Sequence, residues 1–180
     1  ANAFNGNISS WDTSSVTTME HMFNQAESFN KNSGSWDVSS VIDMSYMFFS
    51  ADAFNNGGSN SINNWDVSNV TNMQALFEGA RAFSQDISGW DTSKVTNMSY
   101  MFSQAHGFNQ DIGNWNVSSV TDFDSMFYYN DNFNQDLSGW CVPTIGSEPT
   151  NFKTSANATW RGDSNKQPKW GTCPAPSVTL

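Results

Sequence analysis

The chain has little positive charge. Lys and Arg total 7 against 17 Asp and Glu, a net charge of -10. Phosphate backbones are held by clustered cations, so nucleic acid is not an expected partner. Cysteine is scarce too: Cys141 and Cys173 stand alone, late in the chain. They are too few for a metal-ligand pattern and are either two free thiols or one disulfide. No run approaches the ~20 apolar residues of a membrane span. His21 and His106 fall in unrelated positions, and there is no nucleophile elbow, phosphate loop or metal triad. No enzyme is expected. No leader is visible either. The start, "ANAFNGNISSW", has no Met and enters mid-repeat, which reads as a trimmed piece with further repeats upstream.

What the chain does have is repetition. "WDTSSVTTMEHMF" from Trp11 recurs as "WDVSSVIDMSYMF", "WDVSNVTNMQALF", "WDTSKVTNMSYMF" and "WNVSSVTDFDSMF", from Trp36, Trp65, Trp90 and Trp115. With Trp140, the steps are 25, 29, 25, 25 and 25 residues. Four extra residues in "FNNGGSNSINNW" account for the long step and are expected to bulge outward. A fixed period in this range marks a stack of similar units.

Within one unit, Met98, Met101, Phe102 and Ala105 are spaced i, i+3, i+4, i+7, which predicts a short helix. Thr96 is placed to cap it, and Thr17 with Glu20, and Thr71 with Gln74, have capping-box spacing. Ile87, Trp90, Thr92 and Val95 predict a short strand. The expected fold is therefore α/β: a right-handed solenoid, leucine-rich-repeat-like, with one short parallel strand and one short helix per ~25-residue coil. Residues 1–140 form the solenoid and 141–180 a C-terminal cap with a tail. The six periodic Trp residues, with Phe, Met and Val, are expected in the core, and Ala26, Ala51, Ala80 and Ala105 where coils meet closely.

"FSQDISGWDTSKVTNMSYMF" from Phe83 and "FNQDIGNWNVSSVTDFDSMF" from Phe108 resemble the repeat of BspA-like leucine-rich-repeat surface proteins. The resemblance is to the branch found in mycoplasmas and marine bacteria, and it covers residues 4 to about 174. Ser33, Leu76, Phe123 and Asn116 depart from the pattern. The ending "FNQDLSGWCVPTIGSEPTNF" with "KWGTCP" is similar to that branch's terminal cap, and favours a Cys141–Cys173 disulfide. Trp160 and Trp170 are expected to cover the last coil, where Pro143 and Pro149 discourage another. The resemblance implies an extracellular or cell-surface protein acting in adhesion or recognition.

Four sets of residues are candidates for function. In a leucine-rich-repeat coil, Asp12, Asp37, Asp66, Asp91 and Asn116, with Ser14, Ser39, Ser68, Ser93 and Ser118, would face a concave binding surface. Their rival role is to satisfy backbone donors at a turn, copy after copy. Asp86, Asp111 and Asp136 would repel one another if stacked, and Ca2+ would relieve that. Solvated carboxylates are the default, so no cofactor is expected. Asn5, Asn30, Asn55, Asn109 and Asn134 are read as a structural ladder. Arg161, Gly162 and Asp163 spell a cell-attachment tripeptide, of a kind that occurs often by chance.

The leading expectation is a surface module that binds a protein or glycan of a host or neighbouring cell. The alternatives are a structural spacer or filament subunit, self-associating along a fibre, and a calcium-stabilised adhesin.

Overall fold

The computed structural model describes residues 2–175, so the tail beyond lies outside the described residues. The expected α/β solenoid does not form. Among the described residues, helical segments are confined to Asn56–Gly58, Asn60–Asn64, Ala158–Gly162 and Ser164–Lys166. All four lie in the insertion or the cap. Parallel pairing is limited to isolated bridges joining Thr18, Asp43, Asn72, Asn97 and Asp122 in succession. No repeat has a strand or a helix of its own, so the leucine-rich-repeat assignment loses its structural basis. Among the described residues no helix is long and apolar enough to cross a membrane.

Each repeat is instead a string of tight turns. In the copy from Ile87, the amides of Trp90, Val95, Met101, Ala105 and Phe108 donate to the carbonyls of Ile87, Thr92, Met98, Phe102 and Ala105. The apolar residues three apart, which predicted a helix face, are the first and last residues of turns. A helix would need each amide to reach back four residues. Here the intervening amides leave the repeat: Met98, Tyr100, Phe102 and Gln104 donate to Asp122, Asp124, Met126 and Tyr128 of the next one. Alternate amides thus serve the turn and the neighbour, and both sets are satisfied. The proposed capping hydroxyls also point across repeats. Thr96 Oγ1 donates to Thr71 O at 3.1 Å and Thr71 Oγ1 to Ile42 O at 3.3 Å.

The core is a set of aromatic columns. Phe48, Phe77, Phe102 and Phe127 stack with centroids 5.7 to 6.0 Å apart. Each also lies against a Phe of its own repeat, as Phe77 does on Phe83 at 3.8 Å. Trp36, Trp65, Trp90 and Trp115 form a second column. Each Trp Nε1 donates backward to a carbonyl of the preceding repeat, Trp90 to Ile62 O at 3.0 Å and Trp115 to Ile87 O at 3.2 Å. Such an indole serves both the apolar column and a buried carbonyl. Trp11 departs from the expected core role, being 42% exposed, and Met22 is exposed beside it. With Phe4, His21, Phe23, Asn24 and Ala26 they line a hollow of about 350 Å³, on the side by which each later repeat meets the one before it.

The four-residue insertion does not simply bulge. It folds into two short 3-10 turns that bury Asn56 and set Ile62 in the apolar slot. Asn56 Oδ1 accepts from the Ser33 amide at 2.8 Å. Ser33 is the polar departure in the apolar row, and the insertion supplies the partner that makes its burial tolerable.

At the C-terminal end the parallel stacking stops. Cys141 and Cys173 form a disulfide, and Val142 N donates to Thr172 O beside it at 2.9 Å. Trp160 meets Phe133 at 4.9 Å and 88°, and Trp170 meets Phe152 at 5.0 Å and 86°. An edge-on ring offers no flat face to a further rung, so it closes the column.

Candidate functional site

The alternation of Trp, Asp, Val and Ser places Asp12, Asp37, Asp66, Asp91 and Asn116 in solvent. There is no strand beneath them, so the expected concave sheet surface is absent among the described residues. Each side chain caps its own turn. Asp12, Asp37, Asp66, Asp91 and Asn116 accept from the amides of Ser14, Ser39, Ser68, Ser93 and Ser118 at 3.0 to 3.2 Å. The Ser14 and Ser39 hydroxyls also donate to Asp12 and Asp37 at 2.6 Å, and these bonds hold both carboxyls below the usual range.

Asp86, Asp111 and Asp136 do the same for the amides of Ser88, Gly113 and Ser138. No group of three or more His, Cys, Asp or Glu able to hold a metal is present among the described residues. A third turn-capping row escaped the sequence reading: Asp43, Asn72, Asn97 and Asp122 accept from the amides two residues on. The available signal was the Asn or Asp just before each Met or Phe of "NM", "DM" and "DF". Asparagines bridge repeats as well, Asn30 Oδ1 accepting from Asn55 N at 2.9 Å and Asn109 Oδ1 from Asn134 N at 2.8 Å.

Acid should therefore loosen the fold. A carboxyl held low in the folded state contributes stability above its unfolded pKa and loses it as pH falls through the folded value. Asp12→Asn with Asp37→Asn should fold as the parent does, since Asn116 already performs this role. Thermal melting below pH 4 should show a shallower acid limb for the double variant.

The tripeptide is split between two elements. Arg161 and Gly162 end the helix Ala158–Gly162, while Asp163 caps Ser164–Lys166 by accepting from Asn165 N at 3.0 Å. His106 contacts Asp131 at 2.7 Å on the surface, far in register from His21.

A different face carries the unusual chemistry. Every full repeat has two residues of positive φ, four apart: His21 and Gln25, Tyr46 and Ser50, Ala75 and Gly79, Tyr100 and Gln104, Ser125 and Tyr129. Each is the third residue of a turn, the position where a type II turn favours glycine. Only Gly79 is glycine there. A side chain at such a position costs roughly 1–2 kcal/mol. Several of these strained positions display rings: Tyr100 is 39% and Tyr129 49% exposed, and His21 lies flat on Tyr46 at 4.8 Å.

Glu78 lies in the middle of this face. Burial pushes its carboxyl up from 4.5 to about 7, and the neighbouring Ser103 hydroxyl only partly offsets that. Ser103 Oγ is itself buried without a well-aligned hydrogen bond. A raised carboxyl stabilises the fold at low pH and loses that advantage as pH rises from 4.5 toward 7. By linkage a rise from 4.5 to about 7 corresponds to about 3 kcal/mol, which partial solvent exposure trims to about 1–2 kcal/mol. Glu78→Gln should accordingly be the more stable protein at pH 8 and equal to the parent near pH 4.5. Urea unfolding at both values would show it, and parallel curves for the two proteins would refute it.

A family model described as "Mycoplasma protein of unknown function, DUF285" matches residues 1–61 and 56–163. No curated protein matches, and neither does any solved structure.

Proposed function

We propose that this chain, which belongs to the DUF285 family of mycoplasma proteins of unknown function, is a cell-surface recognition module that binds through its face of strained turns. One observation carries the reading. Tyr46, Tyr100 and Tyr129 occupy left-handed positions where glycine would be cheaper; Tyr100 and Tyr129 are exposed and Tyr46 is half-buried under His21. Strain retained under exposed rings points to a use for those rings. Tyrosine is well suited to protein or glycan contact, with a large flat face and a polar tip. The disulfide and the acidic surface suit an extracellular setting, and so does the likeness to BspA-like surface repeats. The Asp and Ser row supports binding poorly, because its oxygens are engaged in the turns they cap. That uniform row instead favours the second reading, a spacer that holds something else away from the cell.

A binding screen against surface glycans and surface proteins separates the two. The module reading expects capture by the parent and loss in Tyr46→Ala, Tyr100→Ala, Tyr129→Ala combined. Capture that survives this variant, or no capture at all, would leave the spacer as the better account.

A further inference from the structure

The register around Glu78 puts three kinds of group together. The amides of Tyr46 and Ala75 donate to Gln74 and Ser99, so Tyr46, Ala75 and Tyr100 are successive rungs of one row. At roughly 4.8 Å per rung the two tyrosines are rooted about 10 Å apart. Between them stands alanine, so a ring is missing between two that are present. The amides of Ser50 and Gly79 donate to Glu78 and Ser103, which makes Phe49, Glu78 and Ser103 successive rungs of the adjoining row. The ring of Phe49 lies 5.9 Å from that of Tyr46. Burial and the nearby Glu78 carboxylate hold the Tyr46 hydroxyl above its usual range, so these two side chains share one neighbourhood.

The Glu78 carboxylate in this notch has no ion pair among the described residues. The nearest cation along the chain, Arg81, is held by Asp52 at 3.1 Å. The donor neighbouring Glu78 is the Ser103 hydroxyl, which is fully buried and makes no well-aligned bond. A partly buried carboxylate of this sort is costly until a cation reaches it.

We infer that the notch between Tyr46 and Tyr100 receives a primary ammonium group, the side chain of an exposed lysine on a partner protein. An ammonium brings a full charge and three donors, which suits a partly buried carboxylate. Its charge is also attracted to the faces of Tyr46, Tyr100 and Phe49. A quaternary ammonium satisfies the rings but not the carboxylate. The net charge of -10 draws cationic partners toward the surface. A lysine on a protein fits better than a free amine, since the notch is open and a small amine would gain little contact area from it. The inference rests on the turn face being the recognition surface.

The probe is the blocked tripeptide acetyl-Gly-Lys-Gly-amide, titrated into the intact protein and followed by NMR. Glu78→Gln should weaken it at least about tenfold, and Ser103→Ala about two- to threefold. Glu148→Gln, in the C-terminal cap, should leave it unchanged. The norleucine tripeptide, lacking only the ammonium, should not bind, and n-butylammonium should bind more weakly than the lysine tripeptide. Binding should weaken as pH falls from 8 to 5 and Glu78 takes a proton. Burial holds the Tyr46 hydroxyl above its usual range, so it stays neutral there, and the other charged neighbours are Glu20, His21 and the Asp52-paired Arg81. Near-UV circular dichroism confirms that each variant keeps its aromatic stack. Equal binding by Glu78→Gln, or by the norleucine or a tetramethylammonium probe, would overturn the assignment. Tripeptide binding through Glu78 with no capture in the surface screen would leave the notch intact and defeat the recognition module. Capture in the screen with a tripeptide indifferent to Glu78 would do the reverse.

Discussion

Replacing Phe77 by alanine should cost about 3–5 kcal/mol, the range for removing a buried aromatic ring and leaving a cavity. Phe77 is fully buried in the middle of the stack. Its ring lies 3.8 Å from Phe83, 5.7 Å from Phe48 and 6.0 Å from Phe102, so one truncation strips partners in three directions. The surrounding rungs are tied by amide-to-carbonyl bonds from one repeat to the next, and cannot collapse into the gap without breaking them. Each repeat touches chiefly its neighbours, so a weak middle rung should also divide the molecule. Urea unfolding followed by tryptophan fluorescence should show a lower midpoint and a broadened or two-step transition. Phe77→Leu, which keeps most of the volume, should cost clearly less. A loss under 1 kcal/mol for the alanine variant would mean that the aromatic columns do not hold the repeats together.

Removing the disulfide is the second large effect expected. Cys141 and Cys173 are 32 residues apart, and a closed loop of that size is worth about 3–4 kcal/mol through the entropy it removes from the unfolded chain. The damage should be local at first. The segment it closes holds Trp160 edge-on against Phe127 and Phe133, and Trp170 against Phe123 and Phe152. The amides of Ser125, Phe127 and Tyr129 donate to Thr150, Phe152 and Thr154 of the same segment. In Cys141→Ser with Cys173→Ser, hydrogen exchange should speed up at those three amides before it does at Met19 or Phe23. The melting temperature should fall in parallel. An unchanged melting temperature after reduction would show that the cap stands without its staple.

The comparison of sequence with structure turns on a few residues. Met98, Met101, Phe102 and Ala105 have a helix's spacing, yet close two turns. Residues three apart lie on one face in both cases, and hydrophobicity alone does not separate them. Composition did hold a clue. Asn, Asp, Ser and Thr crowd each repeat, and their side chains compete for the backbone amides that a helix would use. Asp12 and Ser14 were legible as an outward pair, and their turn-capping role was one of the two weighed. The Glu78 notch was not legible. It depends on Ala75 falling between Tyr46 and Tyr100, and on Ser103 standing beside Glu78 across the stack. Those relations appear only once the 29-residue step is in register with the 25-residue ones.

The sequence by itself determined the period, the residues that return to the core at each step, and the irregular unit at the C-terminal end. These follow from repetition, because identical units that stack must superpose their apolar residues. The tertiary structure alone decided where the backbone amides go. About half of those bonded to other backbone groups bond across repeats, and that choice replaces strand and helix by turns. It also forces positive φ onto His21, Tyr46 and Tyr100, and leaves Glu78 beside Ser103 with no cation partner among the described residues. Hydrogen bonds between repeats are contacts of long sequence separation, and no local pattern of residue types specifies which amide will make them.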